Sequence, residues 1–428
     1  MSRETLTVTD NRTGESYEVP IENGSIRASD LVGRYGTEVG QELVVYDPGL
    51  SFTASCASGV TNIHLQQGVL EHRGYRIGDL AANASFLEVA YLLIYGELPS
   101  QSELAGWDHE IGTRKFTHEN IKTFISGFRY DAHPMSIVAA AVGALGSFYP
   151  DAGDIFGAEA RRAQITRIVG KMPTLAAFAY RHNSGRPYVS PADDLGYVGN
   201  LLSMIFKMSE LRYEVDPVIS RALEVLLIVH ADHEQSAATT AVRSVGSSYS
   251  DPYAAVSTGL LALSGPLRGA ADLDALRMLR EIGSVDGVSA YLEAIKSGDG
   301  RLMGFGHPIY RAPDPRAEIL REQLDLVSER RPISPLVAVA DALREQAADD
   351  EYFVSRGIYA NAGLYAGLLY EAIGIPDELF GVIFAVSRSV GFLAQWLEMV
   401  TDPEQITIRP RQLYVGPGYR PFKALEAR

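Results

Sequence analysis

Hydrophobic and polar positions change period early in the chain. Thr5-Leu6-Thr7-Val8-Thr9 alternates with period two, Asn11 to Gly14 is turn chemistry, and Tyr17-Glu18-Val19 alternates again, which predicts a β-hairpin. Val44-Val45-Tyr46 followed by Asp47-Pro48-Gly49 predicts a further strand ending in a turn. From about residue 83 the spacing becomes helical. Leu87, Ala90, Tyr91 and Ile94 repeat on one face, and Gly96 stops that helix. Further helices are predicted over 105–111, 121–128, 135–148, 158–169, 194–208 and 218–231. Asp251-Pro252 and Asp314-Pro315 open helices by cap-then-proline logic, and Asp272 is expected to cap a helix running through Arg280. Ser334-Pro335 and Ile375-Pro376 start two more, the last reaching about Val400. The fold class is mainly α with a small N-terminal β domain. No repeat or low-complexity stretch interrupts it.

Composition narrows the partners. Of 428 residues, 46% are hydrophobic and 21% charged, which is ordinary for a soluble globular chain. A formal charge of −15 argues against nucleic acid and anionic membrane surfaces, so any polyanion site must concentrate its arginines. The longest uncharged run, Pro134 to Pro150, is shorter than the roughly 20 residues that span a bilayer and predicts a buried helix. Cys56 is the sole cysteine, which rules out an internal disulfide and suits a reducing compartment; it is expected to be buried and inert. The first ten residues lack the apolar run of a signal peptide, and a cytoplasmic location is expected.

Candidate chemistry centres on Met303-Gly304-Phe305-Gly306-His307-Pro308, where two glycines let a loop present His307, and on Arg316 in the first turn of the helix opened by Asp314-Pro315. That pairing predicts a site for a small carboxylate with an adjacent carbonyl or hydroxyl. His230-Ala231-Asp232-His233 ends an apolar helix, and at i, i+3 the two histidines are expected on one helical face. Their roles stay open among metal ligation, structural packing and substrate contact. Without a third ligand nearby, no metal site is assigned. Arg388 sits in the apolar stretch 380–392, where a guanidinium needs a carboxylate partner or a polar cavity. Arg411, within Arg409-Pro410-Arg411-Gln412-Leu413-Tyr414, lies on an extended segment able to deliver an arginine to a neighbouring site.

Taken together, Gly306-His307, Asp314-Pro315-Arg316-Ala317, the segment 230–235, Arg388 and the segment 409–414 resemble the citrate synthase family over essentially the whole chain. Asp47-Pro48-Gly49 and Leu70-Glu71-His72-Arg73-Gly74-Tyr75 match its bacterial type with an N-terminal β domain. The resemblance implies large and small helical domains: 1–52 β-rich, 53–278 the first part of the large domain, 279–385 the small domain, and 386–428 the last part with a C-terminal arm. It implies an oxaloacetate clamp of His230, His233, Arg316, Arg388 and Arg411, the last from a neighbouring subunit of a homodimer or homohexamer. His307 would polarise and protonate the keto carbonyl. An acyl-CoA is the implied co-substrate, with no bound cofactor.

Two positions depart from the family. Arg268 stands where a histidine stabilises the thioester enolate, and Gly363 where an aspartate removes the methyl proton. Pro308 replaces the arginine that often follows the loop histidine. Arginine donates hydrogen bonds but stays protonated near neutrality, so Arg268 cannot serve as base. Three readings follow: a condensing enzyme with altered, possibly decarboxylative, enolate generation using a malonyl-type thioester; an inactive paralogue that binds or senses di- and tricarboxylates; and a slow conventional citrate synthase.

Overall fold

The structure is a computed structural model that describes residues 4–12, 14–32, 44–265, 271–307 and 310–428. The chain divides into two compact units, one of residues 1–57 with 409–428, the other of residues 58–408.

In the first unit the predicted hairpin forms from β1 (Thr5–Asp10) and β2 (Glu15–Pro20), paired antiparallel with Thr5 opposite Pro20 and Asp10 opposite Glu15. The Asp10 carboxylate accepts the backbone N–H of Arg12 at 2.8 Å inside the turn. The strand expected at 44–46 does not form. Val45 and Tyr46 are exposed, and the Asp47 carboxylate instead accepts the N–H groups of Ser51 and Phe52 at 3.2 and 2.8 Å, closing a turn that needs no pairing partner. Cys56 is half-buried, not buried as expected.

The second unit opens with a three-stranded antiparallel sheet that the sequence reading passed over: β3 (Thr61–His64), β4 (Val69–His72) and β5 (Tyr75–Arg76), in the order β3-β4-β5. Strands of four, four and two residues are too short to show a period. Among the described residues every later element is a helix, apart from an isolated bridge between Phe305 and Ala360. The chain is therefore mostly α with a small N-terminal sheet, as predicted.

One helix exceeds its predicted bounds by a wide margin. Ala158–Asn183 runs straight through Pro173, although the pattern stopped at 169. Nearly every residue from Gln164 to His182 is buried, and burial on all sides outweighs the local cost of proline. The Phe380–Thr401 helix is buried over most of its length and anchors the unit through Trp396, whose indole N–H donates to the Ser250 carbonyl at 3.1 Å. It belongs to a segment, Asp377–Thr401, that is long and apolar enough to cross a membrane, yet 89% of its apolar window is buried within the protein.

Candidate active site

The loop carrying His307 is fixed by backbone hydrogen bonds. Gly304 and Gly306 take φ of +76° and +70°, a region that L side chains rarely adopt. Gly306 N–H donates to the Tyr359 carbonyl at 2.8 Å, Asn361 N–H donates to the Gly304 carbonyl at 2.9 Å, and the Asn361 side-chain amide donates to the Gly306 carbonyl at 2.8 Å. A Cβ on Gly304 would stand 2.9 Å from the Leu364 Cα, so glycine is required there for the close approach as well as for the dihedral. His307 thus sits on a loop riveted to the segment that leads into the Ala362–Ile373 helix.

Arg316 is held differently. Asp314 caps the Pro315–Ser328 helix by accepting the Arg316 N–H at 3.0 Å, and the same carboxylate receives the guanidinium, Nε to Oδ1 at 3.0 Å and Nη2 to Oδ2 at 2.7 Å. Burial works to raise the Asp314 carboxyl, but the adjoining guanidinium and the backbone donors hold it below the usual carboxylate range.

His230 and His233 do not share a helical face. The helix Pro217–His230 ends at the first of them, and Glu234 takes a φ of +56°, so a tight turn, not helical spacing, aims His233. Its Nε2 lies 3.1 Å from the Tyr310 hydroxyl, and its ring centroid is 5.0 Å from that of His307. The turn is backed by the Phe380–Thr401 helix, where Gly391 N–H donates to the Ala231 carbonyl at 3.1 Å. Arg388, one turn earlier, donates from Nε to the His230 carbonyl at 2.7 Å and lays its guanidinium 4.7 Å from the Phe384 ring centroid. Behind the turn, Thr61 donates to Asp232 at 2.6 Å and lies 3.0 Å from Nδ1 of the buried His72.

A cavity of about 270 Å³ gathers these groups: His230, His233, His307, Arg316 and Arg388 all line it. Of the remaining sequence candidates, Arg411 belongs to the other unit, and Arg268 lies outside the described residues. Among the described residues, no three His, Cys, Asp or Glu side chains are placed to hold a metal ion.

Sequence reasoning missed three members of the site: Tyr310, Asn361 and Asp272. The error over Asp272 is specific. It does not cap its helix; the Ala271–Ile282 helix already includes it, in the first turn, and the residue lines the cavity. Oδ1 of Asp272 lies 3.3 Å from where a Cβ on Gly363 would stand. Its sequence signal, an acid shortly after the Gly265-Pro266 break, looks the same for a cap as for a site residue.

The electrostatics of the cavity are mixed. Burial, with the Arg316 and Arg388 charges, pushes the pKa of both His230 and His233 well below the ordinary imidazole value, so both are neutral near pH 7. Burial pushes Asp272 up to about 6, against the pull of Arg316. Neutral imidazoles, two guanidiniums and a loop histidine on one cavity suit an anion bearing a polarisable carbonyl.

The family model described as citrate synthase, C-terminal domain, matches residues 49–411. The chain belongs to the citrate synthase family. It is 47% identical over its whole length to a peroxisomal citrate synthase of Dictyostelium discoideum, covering 88% of that protein, and 42% identical to a second citrate synthase of the same organism, covering 85%. Among solved structures, citrate synthase from Pyrobaculum aerophilum aligns at a TM-score of 0.83 and 34% identity, over 92% of this chain and 97% of its own. Citrate synthase from Thermoplasma acidophilum, solved as a ternary complex with carboxymethyl coenzyme A and oxaloacetate, aligns at 0.80 and 29% identity, over 88% and 98%. The match to a peroxisomal citrate synthase overturns the cytoplasmic expectation. A single cysteine argues for a reducing environment but does not distinguish the cytosol from an organelle.

Proposed function

We propose that this member of the citrate synthase family condenses an acyl-CoA thioester with oxaloacetate or a closely related 2-oxo acid, acetyl-CoA giving citrate. The observation that carries the reading is the convergence of His233, His307, Arg316 and Arg388 on one cavity. Arg316 and Arg388 bind the carboxylates of the keto acid, His230 and His233 supply neutral hydrogen-bonding groups, and His307 polarises the carbonyl and protonates it as the new bond forms. Arg411 completes the clamp from a neighbouring subunit of a homodimer or homohexamer. Residues 279–385 form a small domain that closes over the large helical domain and excludes water. Arg268, on the sequence argument alone, donates to the thioester oxygen. A peroxisomal location accords with the peroxisomal citrate synthase that is 47% identical to the chain.

The donor is better read as acetyl than malonyl. Gly363 taken alone suggests room for an extra carboxylate, but the Asp272 carboxylate borders that space, and two like charges there repel. The same carboxylate weakens the case for an inactive binding subunit, since the acyl half of the cavity retains an acidic group. The test is thiol release from acetyl-, propionyl- and malonyl-CoA with oxaloacetate, with product identified by mass. Citrate from acetyl-CoA supports the proposal. Release only from malonyl-CoA favours the decarboxylative route, and oxaloacetate binding without any thiol release favours a regulatory subunit.

A further inference from the structure

We infer that Asp272 is the general base of this chain, removing the α-proton of the acyl thioester in place of the side chain that Gly363 lacks. The inference rests on the condensation proposed above and names the residue that starts it.

A Cβ on Gly363 would lie 3.3 Å from Asp272 Oδ1 and 3.1 Å from Asn361 Oδ1, so the Asp272 carboxylate reaches the space a side chain at 363 would enter. It does so from a different helix. The two helices approach closely enough that a Cβ on Gly367 would meet the Asp272 carbonyl at 2.5 Å, which fixes the aspartate backbone against the Ala362–Ile373 helix. Asp272 lines the same cavity as His307, Arg316 and Gly363. Base and carbonyl-protonating group therefore face one space, as a two-substrate reaction requires.

The chemistry agrees. No hydrogen bond from a described residue holds the Asp272 carboxylate, and burial raises its proton affinity to about 6, partly opposed by Arg316. A base works best with a pKa near the operating pH. The groups around it are compatible: Arg316 and Arg388 carry the positive charge, His230 and His233 are kept neutral by burial, and burial together with Asp272 pushes the Tyr370 phenol well upward, so it is not a competing base. His307 faces the same cavity and is assigned to the keto acid. Glycine at 363 also gains a reason. Aspartates at both positions would set two carboxylates in contact, and the pair could not both ionise.

In the step, the α-C–H bond breaks, its proton passes to Asp272, and its electron pair becomes the enolate. The enolate carbon bonds to the keto carbon of oxaloacetate, whose oxygen takes a proton from His307. Water then hydrolyses the citryl thioester to the citrate carboxylate and free CoA thiol with release of a proton; Asp272 gives up the proton it took and His307 regains the one it gave, for one net proton released to solvent.

The experiment compares wild type, D272N and the double variant D272N/G363D with acetyl-CoA and oxaloacetate, with oxaloacetate affinity measured by calorimetry on each. D272N is expected to lower kcat by about 10² to 10⁴ while leaving oxaloacetate affinity unchanged, and the double variant to regain about tenfold or more. Wild-type kcat/KM should fall as pH drops through about 6, a limb absent from D272N. If wild type and D272N release CoA alike, this inference is overturned and the proposed function stands. If wild type releases none from any thioester, both fall. If D272N fails to bind oxaloacetate, the wild-type profile decides, and an activity flat across that limb overturns the inference.

Discussion

Arg316 is chelated by Asp314, two residues before it: Nε meets Oδ1 at 3.0 Å and Nη2 meets Oδ2 at 2.7 Å, with both side chains buried. The carboxylate also caps the helix through Arg316 N–H and accepts Ala362 N–H at 3.2 Å, so one aspartate ties a helix start, a cationic side chain and the segment beside the His307 loop together. Asp314→Asn leaves the guanidinium buried without its counter-charge, and breaking such a pair costs about 3–5 kcal/mol. Equilibrium denaturation should show that loss, and the KM for oxaloacetate should rise because the fork no longer aims Arg316. A variant as stable as wild type would mean that something else holds the arginine.

Arg388 is positioned through its Nε, which is committed to the His230 carbonyl at 2.7 Å, while the guanidinium lies beside Phe384 and borders the cavity. Lysine has no second donor set to anchor its stem while its head meets an anion. Arg388→Lys should therefore weaken oxaloacetate binding by about 10- to 150-fold, the equivalent of about 1.5–3 kcal/mol for a charge-assisted hydrogen bond. Calorimetry with oxaloacetate checks this. Unchanged affinity would remove Arg388 from the clamp.

The sequence was most readable where one residue dictates one local outcome. Asp251-Pro252 and Asp314-Pro315 open their helices as cap-then-proline chemistry requires, and Gly96 closes one at a φ of +98°. His230, His233, His307, Arg316 and Arg388, which line one cavity, were legible singly because charged and imidazole groups in apolar or glycine-flanked contexts are conspicuous, and the family resemblance joined them into one set. Its geometry was not legible. His233 is aimed by a positive-φ turn that no period encodes, and the helix over 158–183 ignores Pro173 because burial outweighs propensity. Asp272 was misread as a cap because its meaning depends on Gly363, ninety-odd residues away in sequence and in contact only after folding.

His72 offers a pH test of the frame behind the site. Burial, then the Arg388 and Arg316 charges, lower its pKa from 6.5 to about 3. The folded chain keeps it neutral while the unfolded chain protonates it near 6.5, so the associated stability is complete above 6.5 and is lost as pH falls toward about 3. His72→Leu removes that linkage and leaves every other titrating group in both proteins. Between pH 7 and pH 5 the variant should lose about 2 kcal/mol less stability than wild type. Denaturant titrations at the two pH values measure the difference, and parallel losses would place the His72 pKa near its ordinary value.

Gly391 tests whether the 230–233 turn needs the close approach of the Phe380–Thr401 helix. A Cβ there would stand 2.4 Å from both the Ala231 carbonyl oxygen and Asp232 Oδ1, and neither is the far end of a flexible chain. Gly391→Ala must push the helix away from the turn, an overpacking that costs about 1–3 kcal/mol. The displaced turn carries His230 and His233, and the displaced helix carries Arg388, so the KM for oxaloacetate should rise more than the KM for the thioester. Gly78→Ala is the control. It lies in the Ile77–Asn83 helix with nothing within 4 Å of the added Cβ, and a helical Gly-to-Ala change of this kind stabilises by up to about 1 kcal/mol. Opposite shifts in melting temperature, with the kinetic effect confined to Gly391→Ala, are the expected outcome. Equal KM values for oxaloacetate in the two variants would show that the turn holds its geometry without the helix behind it.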